Sequence, residues 1–435
     1  MISYSIRLSR VQIRKVNPSA YAKTSRISLV SSFVPTLFLQ RIAPIEVSDA
    51  SGMSLMNVFT SRWEDTLLEA CGGTELRGKL GPEPVLGGST LGKIGTWWVQ
   101  RWGFSPGQWF VCISLSRISC KYGTECIIAP FTGDNPATVV ALSAPGDAIL
   151  SLGTSTTLLL SIPPPLSTAT LSTPPKCTTT SHLLAHPTAP GGYIAMLCYK
   201  NGALAREHVR ARYANNPEDS ARADVGTKWT RFNELVRGTP LGNNGYLGFY
   251  FPQPEIIPPN ITGEFFFKPD AGTTRMTAVP ESAFPPVSHP RAILESQFLS
   301  IKLRVADIMP PDAPVLQRLV LAGGSSSNPV IQQVVADVFG TGAYVADRQS
   351  GTQEAAALGG ALLARYAWWG NNRGERGTFE DMMEEVRRDG GGNGQMKLGA
   401  VPDVEAARVY EDLVGVYGTC ERQALAIYQG RAHDL

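Results

Sequence analysis

Cysteine is scarce and unpatterned in this chain. Seven residues lie scattered from Cys71 to Cys420 with no CxxC pair, which excludes a disulfide framework and a spaced zinc site and suits a reducing compartment. Neither sign of charge dominates. The 39 Lys and Arg against 37 Asp and Glu leave a net +2, which excludes the sustained positive field that selects a phosphate backbone, and with it a nucleic-acid partner. Long hydrophobic runs are absent too: the longest are strand-sized, well short of the roughly 18 apolar residues of a membrane helix. No transmembrane segment is expected, the cytoplasm is the expected compartment, and no repeat of fixed period is visible. Acid is missing from the opening stretch, where Arg7, Arg10, Arg14, Lys15, Lys23, Arg26 and Arg41 stand among serines before the first carboxylate, Glu46. That is the composition of a mitochondrial transit peptide.

What is present fits a globular protein of two or three domains, since 435 residues, 43 % hydrophobic and 17 % charged, exceed one compact core. Residues 11–110 mix short apolar runs (Ile27 to Phe33, Pro35 to Leu39) with Ser, Asp and Gly. Helical stretches follow around Trp63 to Leu76 and Leu91 to Trp102, as in the later part of an α/β domain. From Cys126 to Pro130 a strand is expected, then a helix capped by Asn135 with Pro136 at its first position. Ala148 to Leu152 and Leu158 to Ile162 read as a β-hairpin with a polar tip. Proline clusters at 163–165, 174–175, 252–259 and 285–290 mark loops. Arg291 to Asp307 spaces Leu294, Phe298, Ile301 and Val305 as one face of a helix. Leu319 to Ala322 is a buried strand, Val330 to Phe339 a helix closed by Gly340, and Ala343 to Ala346 a strand. Ser350 to Tyr366 is a helix opened by a Ser-x-x-Gln box. The alternation is that of α/β architecture. In the tail, Asp389 to Gln395 is too rich in glycine to form a core, and a helix follows from Val404 to Ile427.

Three constellations carry chemistry. Gly153-Thr154-Ser155-Thr156 between two strands can converge backbone N–H groups and hydroxyls on phosphate oxygens, without the lysine of a Walker loop; it is equally the composition of an ordinary turn. Gly323-Gly324-Ser325-Ser326-Ser327-Asn328, between a buried strand and a helix, permits close backbone approach. Asn328 offers a donor and an acceptor to an adenine edge, or else caps the helix. Asp134, just beyond a strand end where open α/β folds place ligands, can accept the proton of an attacking hydroxyl, or merely stabilise the helix dipole.

At these points the sequence resembles the FGGY carbohydrate kinases. SRISLVSSF, PIEVSDASGMSL, VQRWGFSPG, FTGDNPAT, SLGTSTT, MLCYKNGALAREHVR, GNNGYLGFYF, RAILESQFLS and GGSSSNPVIQQVVADVF occur in the family's order. Several resemble xylulose kinases of fungal type in particular. The resemblance runs from residue 11 to about 365, so the basic opening reads as part of an internal family stretch rather than a targeting signal. It implies an actin-like, ribonuclease H-type two-domain α/β fold with ATP, Mg2+ and sugar in a cleft. It also implies transfer of the γ-phosphoryl group to D-xylulose, with Asp134 as catalytic base and Asn135 on the sugar. Gly153 and Thr154 would border the phosphates, and Gly202 would approach the nucleotide. Trp229 would flank ATP or stand as a core tryptophan, and Gly323, Gly324, Ser325 and Asn328 would hold the adenosine.

The resemblance also implies differences. The family's leading strand and hairpin, with its first phosphate loop and sugar-gripping histidine and arginine, has no counterpart before Val11, so the first domain is expected to be incomplete. Expected boundaries are 1–146 for its remainder, 147–368 for the nucleotide-binding domain and 369–435 for a tail. Gln108 to Glu125 interrupts a short family link and is read as an insertion of the kind a retained intron leaves. A non-catalytic nucleotide binder, and a kinase of the same family for another sugar or polyol, are the alternative readings. Metal ligands are not legible, nor is the oligomeric state, a homodimer included.

Overall fold

The computed structural model describes residues 14–104, 126–164, 174–214, 228–270, 272, 275–309, 316–346, 355–373, 377–388 and 396–433. The insertion expected at 108–125 and the Ser350 box lie outside them. The first part is assembled from short elements: α1 (Pro18–Lys23), α2 (Val30–Leu39), α3 (Val47–Gly52), β1 (Met56–Asn57), β2 (Arg62–Trp63), α4 (Asp65–Gly72), α5 (Leu76–Leu80), β3 (Gly92–Lys93), α6 (Thr96–Trp102), β4 (Ile127–Ile128) and α7 (Asp134–Leu142). Two expectations are corrected here. The apolar runs around Pro35 form one helix, α2, with the proline inside it. The single helix expected over 63–76 divides at Gly73, whose φ of 74° ends α4 and costs a glycine little.

The second part begins with the expected hairpin, β5 (Ala148–Leu152) and β6 (Thr156–Ile162), and continues through β7 (His182–Ala185), β8 (Tyr193–Tyr199), α8 (Ala203–Tyr213) and α9 (Thr230–Gly238). A separate antiparallel sheet follows, β9 (Leu247–Phe251), β10 (Gly263–Pro269) and β11 (Met276–Val279). Then come α10 (His289–Ile308), β12 (Leu319–Ala322), α11 (Pro329–Phe339), β13 (Ala343–Ala346), α12 (Ala355–Arg373), α13 (Phe379–Arg388), β14 (Met396–Ala400) and α14 (Val404–His433). Gly340, at φ 66°, closes α11 as expected.

Seven strands form the main sheet in the order β14-β13-β12-β5-β6-β8-β7. β5, β6 and β8 run antiparallel in succession, while β12 lies parallel to β5 on its other side and β13 parallel to β12. Three antiparallel strands flanked by two parallel ones is the ribonuclease H-type order. β14, from the tail, pairs antiparallel with β13, and α14 contributes Ala406, Tyr410, Tyr417, Cys420 and Ala424 to the large core beside α10 and α11. On the opposite face, Val139, Ala141 and Leu142 of α7 meet Ile149, Leu159, Ile194 and Val320 of the sheet. The first part grips the edge strand β7 through α3: Ser48 Oγ donates to Ala185 O at 2.6 Å, and Ala185 N donates to Ser51 Oγ at 3.0 Å.

Candidate functional site

The topology brings the expected residues to one end of the sheet. α7 runs from Asp134 to Leu142, the chain reverses, and β5 returns along it, so the start of α7 and the end of β5 point the same way. β12 runs parallel to β5 with Ala322 opposite Ser151. Its following turn therefore stands beside the hairpin tip.

Three turns meet there at backbone distance. A Cβ built on Gly323, whose φ is 85°, would lie 2.9 Å from the Leu152 carbonyl carbon and 3.0 Å from Gly153 N. One built on Gly202 would lie 2.6 Å from the Ser155 carbonyl carbon and 2.7 Å from Thr156 N. Ala203 N donates to Gly153 O at 3.0 Å. Only glycine permits this approach. Thr154 and Ser155 at the tip, with Gly323 and Gly324, are exposed, and a Cβ on Gly324 would meet nothing within 4 Å. The result is an open concavity floored by backbone, the geometry that suits phosphate oxygens.

Asn328 is the cap of α11. Its Oδ1 accepts from Val330 N at 2.9 Å and Ile331 N at 3.4 Å, and its Nδ2 donates to Asn233 Oδ1 at 3.0 Å. Ser325 Oγ accepts from Arg206 at 3.3 Å. Trp229, half-buried before α9, meets Phe232 edge-on at 5.1 Å and carries the Arg210 guanidinium 5.6 Å over its ring.

Asp134 is exposed at the first position of α7, behind Gly133, which takes the cap position expected of Asn135. The shift follows from a local bond: Asp134 Oδ1 accepts from Asn135 N at 2.9 Å, and Pro136 falls on the third helical position, where it needs no partner. Asp134 lines a cleft of about 670 Å³ with Ser31, Val34, Asp49, Phe131 and Gly360. No residue of the three turns lines it.

Ser31 and Asp49 line the cleft beside Asp134, with Glu46 behind them, and none of the three has a signature of its own in the sequence. Ser31 Oγ donates to Asp49 Oδ2, and Asp49 Oδ1 lies 2.9 Å from where a Cβ on Gly133 would be. Burial pushes the Asp49 carboxyl above its ordinary range, with the Ser31 hydroxyl opposing and the charge of Asp134 adding. Beneath it Glu46, fully buried, caps α3 by accepting from Ser48 N at 2.9 Å and Asp49 N at 3.2 Å. Burial lifts Glu46 to about 7 against the bonds from Thr132 and these two N–H groups. The signal in sequence is a joint one, the Glu-x-x-Asp spacing of EVSD, which sets both carboxyls one turn apart.

Among the described residues no three carboxylate, imidazole or thiol groups converge as a metal set. They do not by themselves form the oxygen cage of a magnesium ion. No described helix is long and apolar enough to cross a membrane.

Strand order, glycine turns at strand ends and an acid at a helix start define an α/β protein of the actin-like ATPase class. Comparison with known proteins narrows the class. Residues 148–368 match the C-terminal domain of the FGGY family of carbohydrate kinases. The chain is 36 % identical over 434 residues to a probable D-xylulose kinase A of Arthroderma otae, covering 95 % of this chain and 70 % of that protein. It is 37 % identical over 394 residues to D-xylulose kinase A of Aspergillus niger, covering 86 % of this chain and 62 % of the relative. The chain thus spans 62 to 70 % of the length of these relatives. The fold is similar to a solved xylulose kinase from Rhodospirillum rubrum, with a TM-score of 0.68 at 15 % identity over 99 % of this chain and 72 % of that one. A solved kinase from Brucella ovis gives 0.67 at 18 % identity over 97 % and 73 %. This chain belongs to the FGGY family of carbohydrate kinases.

Proposed function

We propose that this chain carries the nucleotide site and the general base of an ATP-dependent kinase that phosphorylates D-xylulose. The observations that support it are the meeting of the Gly153, Gly202 and Gly323 turns at the ends of β5 and β12 and the exposed Asp134 at the start of α7, in a cleft of its own. ATP lies with its phosphates toward the tip at Gly153 and Thr154 and its adenosine along Gly323, Gly324 and Ser325, with Trp229 flanking it. Asn328 acts by holding that turn as the cap of α11 rather than by offering its amide to adenine. Asn135, beside the acid, contacts the sugar.

In the reaction, Asp134 accepts the proton of the sugar's primary hydroxyl as that oxygen attacks the γ-phosphorus. The bond to the bridging oxygen breaks, ADP leaves, and the proton stays on the carboxylate until solvent removes it. Little other covalent chemistry is required of a protein in phosphoryl transfer, where positioning and charge stabilisation dominate. Magnesium bound with the nucleotide would supply neutralisation of the phosphate charge, while Asp134 accepts the hydroxyl proton.

The test is turnover with ATP, magnesium and D-xylulose beside calorimetric ADP binding. Asp134→Asn is expected to lower turnover at least about 10²-fold, the range of general base catalysis, with ADP affinity unchanged. Undiminished turnover removes Asp134 from the role. Binding of ADP by the wild-type chain without any turnover selects the second reading, a nucleotide binder that is not a catalyst, and phosphorylation of another polyol in preference selects a different substrate within the family.

A further inference from the structure

Arg206, in the first turn of α8, heads the fully buried side chains by volume and is 0 % exposed. Its Nη1 donates to Gln297 Oε1 at 2.7 Å and its Nη2 to Ser325 Oγ at 3.3 Å, while its Nε has no partner. Among the described residues no carboxylate reaches ion-pair distance of it, and the charge of Glu207, next in sequence, acts on it without a bond. Gln297 in turn donates its Nε2 to Asn201 O at 2.7 Å and Gly202 O at 3.0 Å. Asn201 is itself fixed by the buried Glu255, which accepts from Asn201 N and Asn201 Nδ2, both at 2.9 Å. The guanidinium therefore stands among neutral acceptors at the joint between the Gly202 turn and the Gly324-Ser325 turn.

A dry, unpaired cation is among the costliest groups a fold can hold, and such exceptions call for a physical cause. Here the cause is at hand. The turns at 153–156, 201–203 and 323–328 contain no cationic side chain, so a polyphosphate resting on them would meet only neutral N–H and O–H donors. Lys200, next in sequence, is exposed and screened by water.

We propose that Arg206 is a positioning residue for a nucleoside polyphosphate: it ties Ser325 to the Gly202 turn and supplies, from beneath, the fixed positive potential that the bound phosphates offset. The proposal rests on the nucleotide reading of these turns. It separates phosphate recognition from adenosine recognition, because a fixed charge discriminates ligands by phosphate number whereas a purely structural role does not.

The experiment compares the wild-type chain with Arg206→Met by calorimetric titration of adenosine and ADP and by melting without ligand. Expected for Arg206→Met are a ligand-free melting temperature equal to or above wild type, since an apolar isostere relieves the buried charge, and an adenosine affinity that falls by less than ADP affinity, since the lost bond to Ser325 touches both ligands and the lost charge only the phosphates. ADP affinity falls at least about tenfold, the worth of a hydrogen-bonded charge. Wild-type ADP affinity in the variant overturns the proposal, as does equal loss for both ligands. Should Arg206→Met not fold, Arg206→Lys decides: it keeps the charge, so retention of the ADP-over-adenosine preference supports the proposal and its loss overturns it. A wild-type chain that binds neither ligand overturns the nucleotide reading and this proposal together.

Discussion

Glu46 shows how one buried carboxyl can give the first part of the molecule a pH signature. Its ordinary value of 4.5 rises to about 7 in the fold, so the folded state holds a proton that the unfolded state has released between these values. Stability that is complete below pH 4.5 is then lost as pH rises through 7. Glu295, lifted to about 7 by burial against Arg291 and Tyr410, acts in the same direction. Glu46→Gln mimics the protonated form and keeps an oxygen for Ser48 N and Asp49 N. It is expected to match wild type at pH 5 and exceed it at pH 8 by on the order of 2 kcal/mol, measured by urea unfolding at both values. A variant that tracks wild type across this range refutes the assignment.

The candidate site residues are legible at this scale only where local pattern suffices. Asp134, Gly153 and Gly323 stand beside strand ends that apolar runs announce. Asp49, Ser31 and Arg206 do not, because each acquires its meaning from a partner far off in sequence: Ser31 meets Asp49 across 18 positions and Arg206 meets Ser325 across 119. Asn328 likewise meets Asn233 across 95 positions, a bond its local sequence does not announce.

Among elements, α7 and α12 cross with unusual intimacy. A Cβ on Gly359 would lie 1.8 Å from Ala137 O, with no side chain in between to yield. Gly359→Ala must push the helices apart, at a cost of about 1–3 kcal/mol or more by overpacking, and because α7 starts at Asp134 the same change is expected to lower turnover while sparing ADP binding at the turns. Chemical denaturation and titration check the two halves. α14 offers the contrasting case of a helix clipped by charge. Glu421 pairs with Arg304 of α10 and accepts from Tyr417 at 3.0 Å, all largely buried. Glu421→Ala strands the guanidinium and is expected to cost about 3–5 kcal/mol, seen as a lower denaturation midpoint. Loss under 1 kcal/mol would contradict a closed pair.

Elements with regular periodicity were readable: the β5–β6 hairpin, β12, β13 and α11 lie within one or two residues of expectation, and α10 begins two residues early. Those stabilised by neighbours were not. β14, MKLGA, is short, carries a lysine and a glycine, and exists through its ladder with β13. α2 carries a proline that local rules treat as a breaker, and the 91–102 stretch divides into β3, paired with β4, and α6.

At the scale of the whole molecule the tail is integral to the core of the second part, since β14 extends the main sheet and Tyr410 joins Arg291 and Glu295 at 2.9 and 2.7 Å. A chain ending at residue 395 is therefore expected to lose cooperative unfolding of the second part, not merely a mobile end; thermal melts followed by circular dichroism report it. The ribonuclease H-type order was implied by family resemblance and is visible in the strand pairing.

The glycine contact between α7 and α12 has one more mechanical consequence. Where two backbones touch directly, they can roll on each other but cannot slide without collision, so the crossing works as a fulcrum. Asp134 sits three residues up the lever from Ala137. A small change of angle at Gly359 would therefore swing the carboxylate as the end of a rigid arm, without altering a single torsion of its own side chain.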